Sequence, residues 1–134
     1  MAVQRWNPET VAAPASSYSM VARAPQGATI VQLAGQVGIT PEGDLEEGAE
    51  AQALAAFSNI ERLLAAVGAT PADLLHLRTY VVGREALAGF RSAREATYAR
   101  WFGVDPPPTH TLLVVAGLSG EDMLVEVEAL VATP

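Results

Sequence analysis

Apolar residues change their spacing several times along this chain, and each change marks an element. YSMVARA (18–24) and ATIVQLAG (28–35) are two strand-like runs separated by Pro25, Gln26 and Gly27, and such turn chemistry at this spacing predicts a β-hairpin. From Glu47 the period lengthens: Ala53, Phe57, Ile60, Leu64 and Val67 share one helical face, and Gly68 follows as a terminator. Thr70, Pro71 and Asp73 then have the order of a cap, a first helical position and a capping carboxylate, which predicts one short turn before the strand LLHLRTYVV. A second helix is expected from about Glu85 to Phe102, burying Leu87, Phe90, Thr97 and Trp101 and stopping at Gly103. Two more strands, THTLLVVAG (109–117) and MLVEVEALVA (123–132), are joined by the turn residues SGED. Residues 1 to 17 read as a short extended piece around Val3 to Trp6 and a loop, and GQVGITPEGDLEEG (35–48) reads as a loop with a short extended piece inside it.

The order is strands, helix, strand, helix, strands. Two helices of this length cover one face of a sheet of five or six strands, which leaves the far face open. In MLVEVEALVA the alternation puts Met123, Val125, Val127, Ala129 and Val131 on one side and Leu124, Glu126, Glu128 and Leu130 on the other, while THTLLVVAG is apolar on both. Monomers seldom expose a large apolar patch, so the second face is expected to be covered by other copies of the chain.

Composition narrows the function classes. The length of 134 residues suits a single domain spanning 1–134, and with half its residues apolar and 17% charged it has the makings of a globular core. Fifteen acidic against eight basic side chains give a net charge of −7 without a basic cluster, which argues against nucleic acid as a partner. The absence of cysteine removes disulfides, thiol nucleophiles and thiolate metal sites and fits a reducing compartment. No stretch approaches the ~20 apolar residues of a membrane span, and MAVQRWNPETV lacks the apolar run of a signal peptide, so a cytoplasmic protein is expected.

Candidate chemistry is sparse. Glu126 and Glu128 lie two apart in a strand and so share a face. Either they meet water or an arginine such as Arg78 across the sheet, or one of them lines a cleft between subunits, where burial would raise its pKa into the range of a general acid or base. His110 enters a strand behind Pro106, Pro107 and Pro108, and His76 sits among leucines; neither has metal-ligand spacing, so no metal is expected. Ser16, Ser17 and Ser19 lie outside any nucleophile elbow, and the G-x-x-G of Gly35 to Gly38 lacks the strand-to-helix setting of a phosphate loop, although its glycines would let a main-chain N–H approach a ligand.

The tyrosine and serine before the first long strand, L-A-G-Q (33–36), W-F-G followed by prolines, and V-E-V-E-A (125–129) together resemble the RidA family, also called YjgF/YER057c/UK114, over about Pro14 to Ala132. The resemblance implies an α+β fold of the chorismate-mutase-like kind, a mixed sheet with two helices on one face, and a homotrimer with a cleft at each subunit boundary. It also implies hydrolysis of reactive enamines and imines to a 2-keto acid and ammonia without a cofactor. Carried over by position, Tyr18, Gly35, Gln36 and Thr111 would bind substrate and Glu126 would position or activate water. The arginine with which the family clamps a substrate carboxylate falls on His110, which lacks the bidentate charged fork. Ala34 stands where a hydroxyl residue is frequent and Glu95 where an asparagine is common. Two readings follow: a diverged hydrolase in which Glu126 handles water and His110 is donor or acid, or a non-catalytic trimer binding a small metabolite. Ribonuclease and translation-inhibitor activities described in the family sit poorly with the acidic charge.

Overall fold

A computed structural model describes residues 2–134. Its strands are β1 (Gln4–Trp6), β2 (Val21–Arg23), β3 (Thr29–Val37), β4 (Leu74–Val82), β5 (Thr109–Val115) and β6 (Val125–Thr133), with helices α1 (Ala49–Ala66) and α2 (Leu87–Trp101). The main sheet has the order β3-β6-β4-β5, and β1 and β2 form a separate pair. β4 and β5 run parallel because α2 carries the chain back between them, while β6 is antiparallel to both its neighbours. The architecture is therefore the expected α+β one, two helices on one face of a mixed sheet.

Alternation along the strands decides what the helices cover. Val125, Val127, Ala129 and Val131 of β6 and Leu77, Thr79 and Val81 of β4 are at most 1% exposed. They meet Phe57, Ile60 and Leu64 of α1 and Phe90 of α2 in one core. Phe57 is its centre, with ring centroids 5.9 Å from Phe90, 6.4 Å from Tyr98 and 5.6 Å from Trp101. α1 ends in a Schellman arrangement: Gly68 adopts a positive φ of 71°, its N–H donates to the Ala65 carbonyl, and Ala69 donates to Leu64. Val67, placed on the buried face by periodicity, instead caps the C-terminus of this helix and is 37% exposed.

Other expectations need correction. The Pro25–Gly27 turn forms, with the Ala28 N–H donating to the Pro25 carbonyl, but β2 and β3 do not pair. β2 pairs with β1 and β3 with β6, and the main sheet has four strands rather than five or six. Turn residues dictate a bend, not the partner: the nine-residue β6 gives Val31 and Leu33 access to the core, which three residues of β2 could not. The predicted extended piece in the 35–48 loop is an isolated bridge between Ile39 and Leu45.

Polar bonds, not apolar burial, fix the N-terminal segment. The Arg5 guanidinium donates to the carbonyls of Pro71, Ala72, Leu74 and Pro106 and stacks on the Phe102 ring at 5.2 Å. The prolines before β5 suit this role, since they offer carbonyl acceptors and no N–H that would need a partner. Ser19 is 2% exposed, and its hydroxyl donates to Pro107 at 2.6 Å while its N–H donates to Pro108. Tyr18 is thereby held beside the entrance of β5.

Between the loop and α1, Gln52 is 2% exposed; its amide donates to the Glu46 and Asp122 carbonyls and accepts from the Leu124 N–H. A methyl group at Gly38 would overlap the Gln52 main chain, so only glycine fits there. Among the described residues no helix is long and apolar enough to cross a membrane.

Candidate functional site

The register through β4 determines which side chains can meet. His110 lies opposite Leu77 and therefore points to the helix-covered face, whereas Glu126 lies opposite Tyr80 and points to the open face. They stand on either side of β4, so two strand spacings, about 10 Å, separate them in addition to the sheet itself. Within one protomer no small molecule touches both. Thr111, one residue beyond His110, takes the opposite face and stands beside Arg78.

On the open face the two glutamates have different fates. Glu128 accepts from Arg78 at 3.3 Å and from the Tyr80 hydroxyl, and the second bond pushes the phenol above its usual range. The cross-sheet arginine anticipated from sequence is thus present for Glu128. Glu126 makes no side-chain hydrogen bond among the described residues and rests against Gly35, where a methyl group would overlap its carboxylate. The β3–β6 ladder is irregular between Leu33 and Gln36, so the Ala34–Gly35 main chain stands outside the regular pairing beside that carboxylate. The Gln36 amide turns back to the carbonyls of Ala34 and Gly35.

On the helix side, His110 stacks on Phe90 at 5.9 Å and contacts Thr79 at 2.9 Å through Nε2 and Arg94 at 3.5 Å through Nδ1. A guanidinium only donates, so Nδ1 is the acceptor and Nε2–H donates to the Thr79 hydroxyl. Burial, then the Arg94 and His76 charges, push the imidazole pKa down to about 3. The ring is neutral at physiological pH, and a proton-donating role as an imidazolium does not follow from this placement. His76 lies on the open face, its Nδ1 2.8 Å from the Thr109 hydroxyl.

Arg94 is not among the candidates that sequence motifs single out, although it occupies the position four residues after Phe90, inside the stripe that α2 turns to the core. A charged residue in such a stripe was the available signal. Beside it opens a cavity of about 450 Å³ bordered by Ser16, Ser17, Tyr18, Glu95, Tyr98 and Phe102. The candidate residues therefore form two groups: Tyr18, His110 and Arg94 near this cavity, and Gly35, Gln36 and Glu126 on the other face. Among the described residues no group of three His, Asp or Glu could hold a metal ion.

A family model described as Endoribonuclease L-PSP matches residues 8–133. The Rid-family protein YyfB from Yersinia pestis, described as of unknown function, is 30% identical over 98% of this chain and 99% of its own, with a TM-score of 0.81. RidA from the Antarctic bacterium Psychrobacter sp. shares 24% identity over 96% of this chain and 98% of its own, at a TM-score of 0.66. Escherichia coli TdcF with bound serine shares 19% over 92% and 91%, at 0.72. The last two are likenesses of fold alone. No curated protein matches the chain in sequence.

Proposed function

We propose, from the premise that this chain belongs to the Rid family described as Endoribonuclease L-PSP, that it is a small-molecule hydrolase acting on reactive 2-imino acids and their enamine tautomers. The observation that carries this reading is Glu126: a carboxylate left without a partner beside a glycine main chain, one residue pair away from a glutamate that is fully engaged. An uncommitted carboxylate at an open face is suited to take a proton from water. In the reaction, the water oxygen bonds to the imine carbon as Glu126 accepts the proton. That proton goes to the nitrogen to give a carbinolamine; its hydroxyl proton then passes by way of Glu126 to the amine as the C=O bond forms, the C–N bond breaks, and ammonia leaves a 2-keto acid.

Because the helix-side and open-face groups point away from each other in one protomer, the reading requires a neighbouring copy whose Glu126 faces the first copy's Tyr18 and His110. A homotrimer supplies that arrangement at each seam, and the open face offers Ile30 and Leu113 to cover, at 52% and 39% exposure. A cytoplasmic setting accords with the cysteine-free sequence. RNA is a poor substrate for this surface: Arg5 and Arg94 are turned inward, and Arg78 and Arg100 are paired with Glu128 and Glu61.

A second reading, a trimer that binds a small metabolite without turnover, draws on the neutral His110 held against Thr79 and Arg94. Keto-acid release from freshly generated 2-iminopropanoate and longer imino acids separates the two. The hydrolase reading expects a rate well above buffer for at least one of them. Buffer rates across the panel, from protein that elutes as a trimer, leave only the binding role.

A further inference from the structure

Arg94 is 5% exposed, yet no carboxylate among the described residues lies within ion-pair distance of it; the ion pairs are Arg78–Glu128 and Arg100–Glu61. Its guanidinium sits 5.5 Å over the Phe90 ring, donates to His110 Nδ1 at 3.5 Å and to the Ser16 hydroxyl at 2.5 Å, and so uses neutral partners only. A buried cation lacking a counter-ion is strongly disfavoured unless an anion joins it. Glu95, the next residue, is exposed and acts on Arg94 only at longer range.

One turn further along α2, Tyr98 is 7% exposed and its hydroxyl has no hydrogen-bond partner. It borders the cavity that Ser16 also borders. The buried Nε of Arg5, across Phe102, likewise lacks an acceptor. Ser16 and Tyr98 border the cavity, and the Arg94 guanidinium lies directly behind Ser16, whose hydroxyl it holds, so a carboxylate bound at Ser16 would compensate the charge behind it. Glu95 and Asp105 on the cavity wall carry the opposite charge. They disfavour a bare anion and suit a ligand whose carboxylate is accompanied by an iminium or ammonium group.

We propose that Arg94, with the Ser16 and Tyr98 hydroxyls beside it, anchors the carboxylate of a small imino or amino acid, so that helix α2 provides the positive charge missing at position 110. The Ser16 hydroxyl accepts from the guanidinium and can in turn donate its own proton to the ligand. His110 acts as a positioning residue that steadies Arg94. This inference rests on the reading of the cleft as a site for imino acids, but its test does not require turnover.

The probes are 2-aminobutanoate and its neutral-tail counterpart 2-aminobutanamide, titrated into the intact protein by ligand-observed NMR. The amino acid is expected to bind at least about tenfold more weakly to Arg94→Met than to the parent, the loss of a charge-assisted contact. The amide is expected to bind both equally weakly. Ser16→Ala, on an exposed loop, is expected to weaken the amino acid a fewfold with an unchanged melting temperature, and it decides the matter if Arg94→Met does not fold. Equal affinity of parent and both variants for the amino acid, or no binding by the parent, overturns the assignment. Arg94-dependent binding without keto-acid release would remove the hydrolase reading and leave this one standing; release undiminished in Arg94→Met would do the reverse.

Discussion

Glu126→Gln is expected to slow keto-acid release from 2-imino acids by about 10²- to 10⁴-fold, the usual contribution of a positioned general base. The amide keeps the volume of the side chain beside Gly35 and its seat on the open face, so folding and assembly should be preserved. It removes the feature that carries the proposal, a carboxylate basic enough to take a proton from water. Glu128→Gln provides the contrast: that carboxylate is occupied by Arg78 and Tyr80, and its replacement should cost cross-sheet bonds but little rate. The measurement is the coupled assay of keto-acid formation under saturating imino acid. A Glu126→Gln variant that retains a third or more of the parent rate removes Glu126 from the chemistry.

Phe57→Ala is expected to lower unfolding stability by about 3–5 kcal/mol, a large part of the 5–15 kcal/mol typical of a domain. Phe57 is 1% exposed and packs against three aromatic rings from α2, so its removal leaves a void that a helix pinned by those same rings cannot close. The surrounding Phe90, Tyr98 and Trp101 also position Arg94 and the cavity wall, which makes the loss a functional one too. Urea denaturation followed by circular dichroism reads the effect directly; a midpoint shift equivalent to less than 1 kcal/mol would mean the helices do not share this core.

What periodicity could reveal of the fold was everything that buries an alternating or helical stripe. The faces of β6, the extent of β4 and the Schellman end at Gly68 follow from local chemistry that tertiary packing reinforces. Strand partnership was not legible, because the residues of the 25–27 turn say that the chain bends there and nothing about which edge it meets next. The site was legible only in outline. Glu126 could be assigned a face from its spacing, but its isolation from Arg78 depends on a cross-strand register that sequence does not print. Tyr18 owes its place to Ser19 and to proline carbonyls more than eighty positions away. Arg94 is not legible from sequence because a cation inside an apolar stripe has no evident role without its neighbours Ser16 and His110, which come from distant segments.

On the proposed reading, the opposed orientation of His110 and Glu126 would make each active seam a joint product of two chains. Glu126→Gln and Arg94→Met should then complement one another at imino acid concentrations well below saturation: when the two impaired proteins are dissociated, mixed and reassembled, every hybrid ring contains a boundary that pairs an undamaged Arg94 with an undamaged Glu126. Activity in the mixture above that of either variant reassembled alone would be the signature of a sheet that presents its chemistry on both sides.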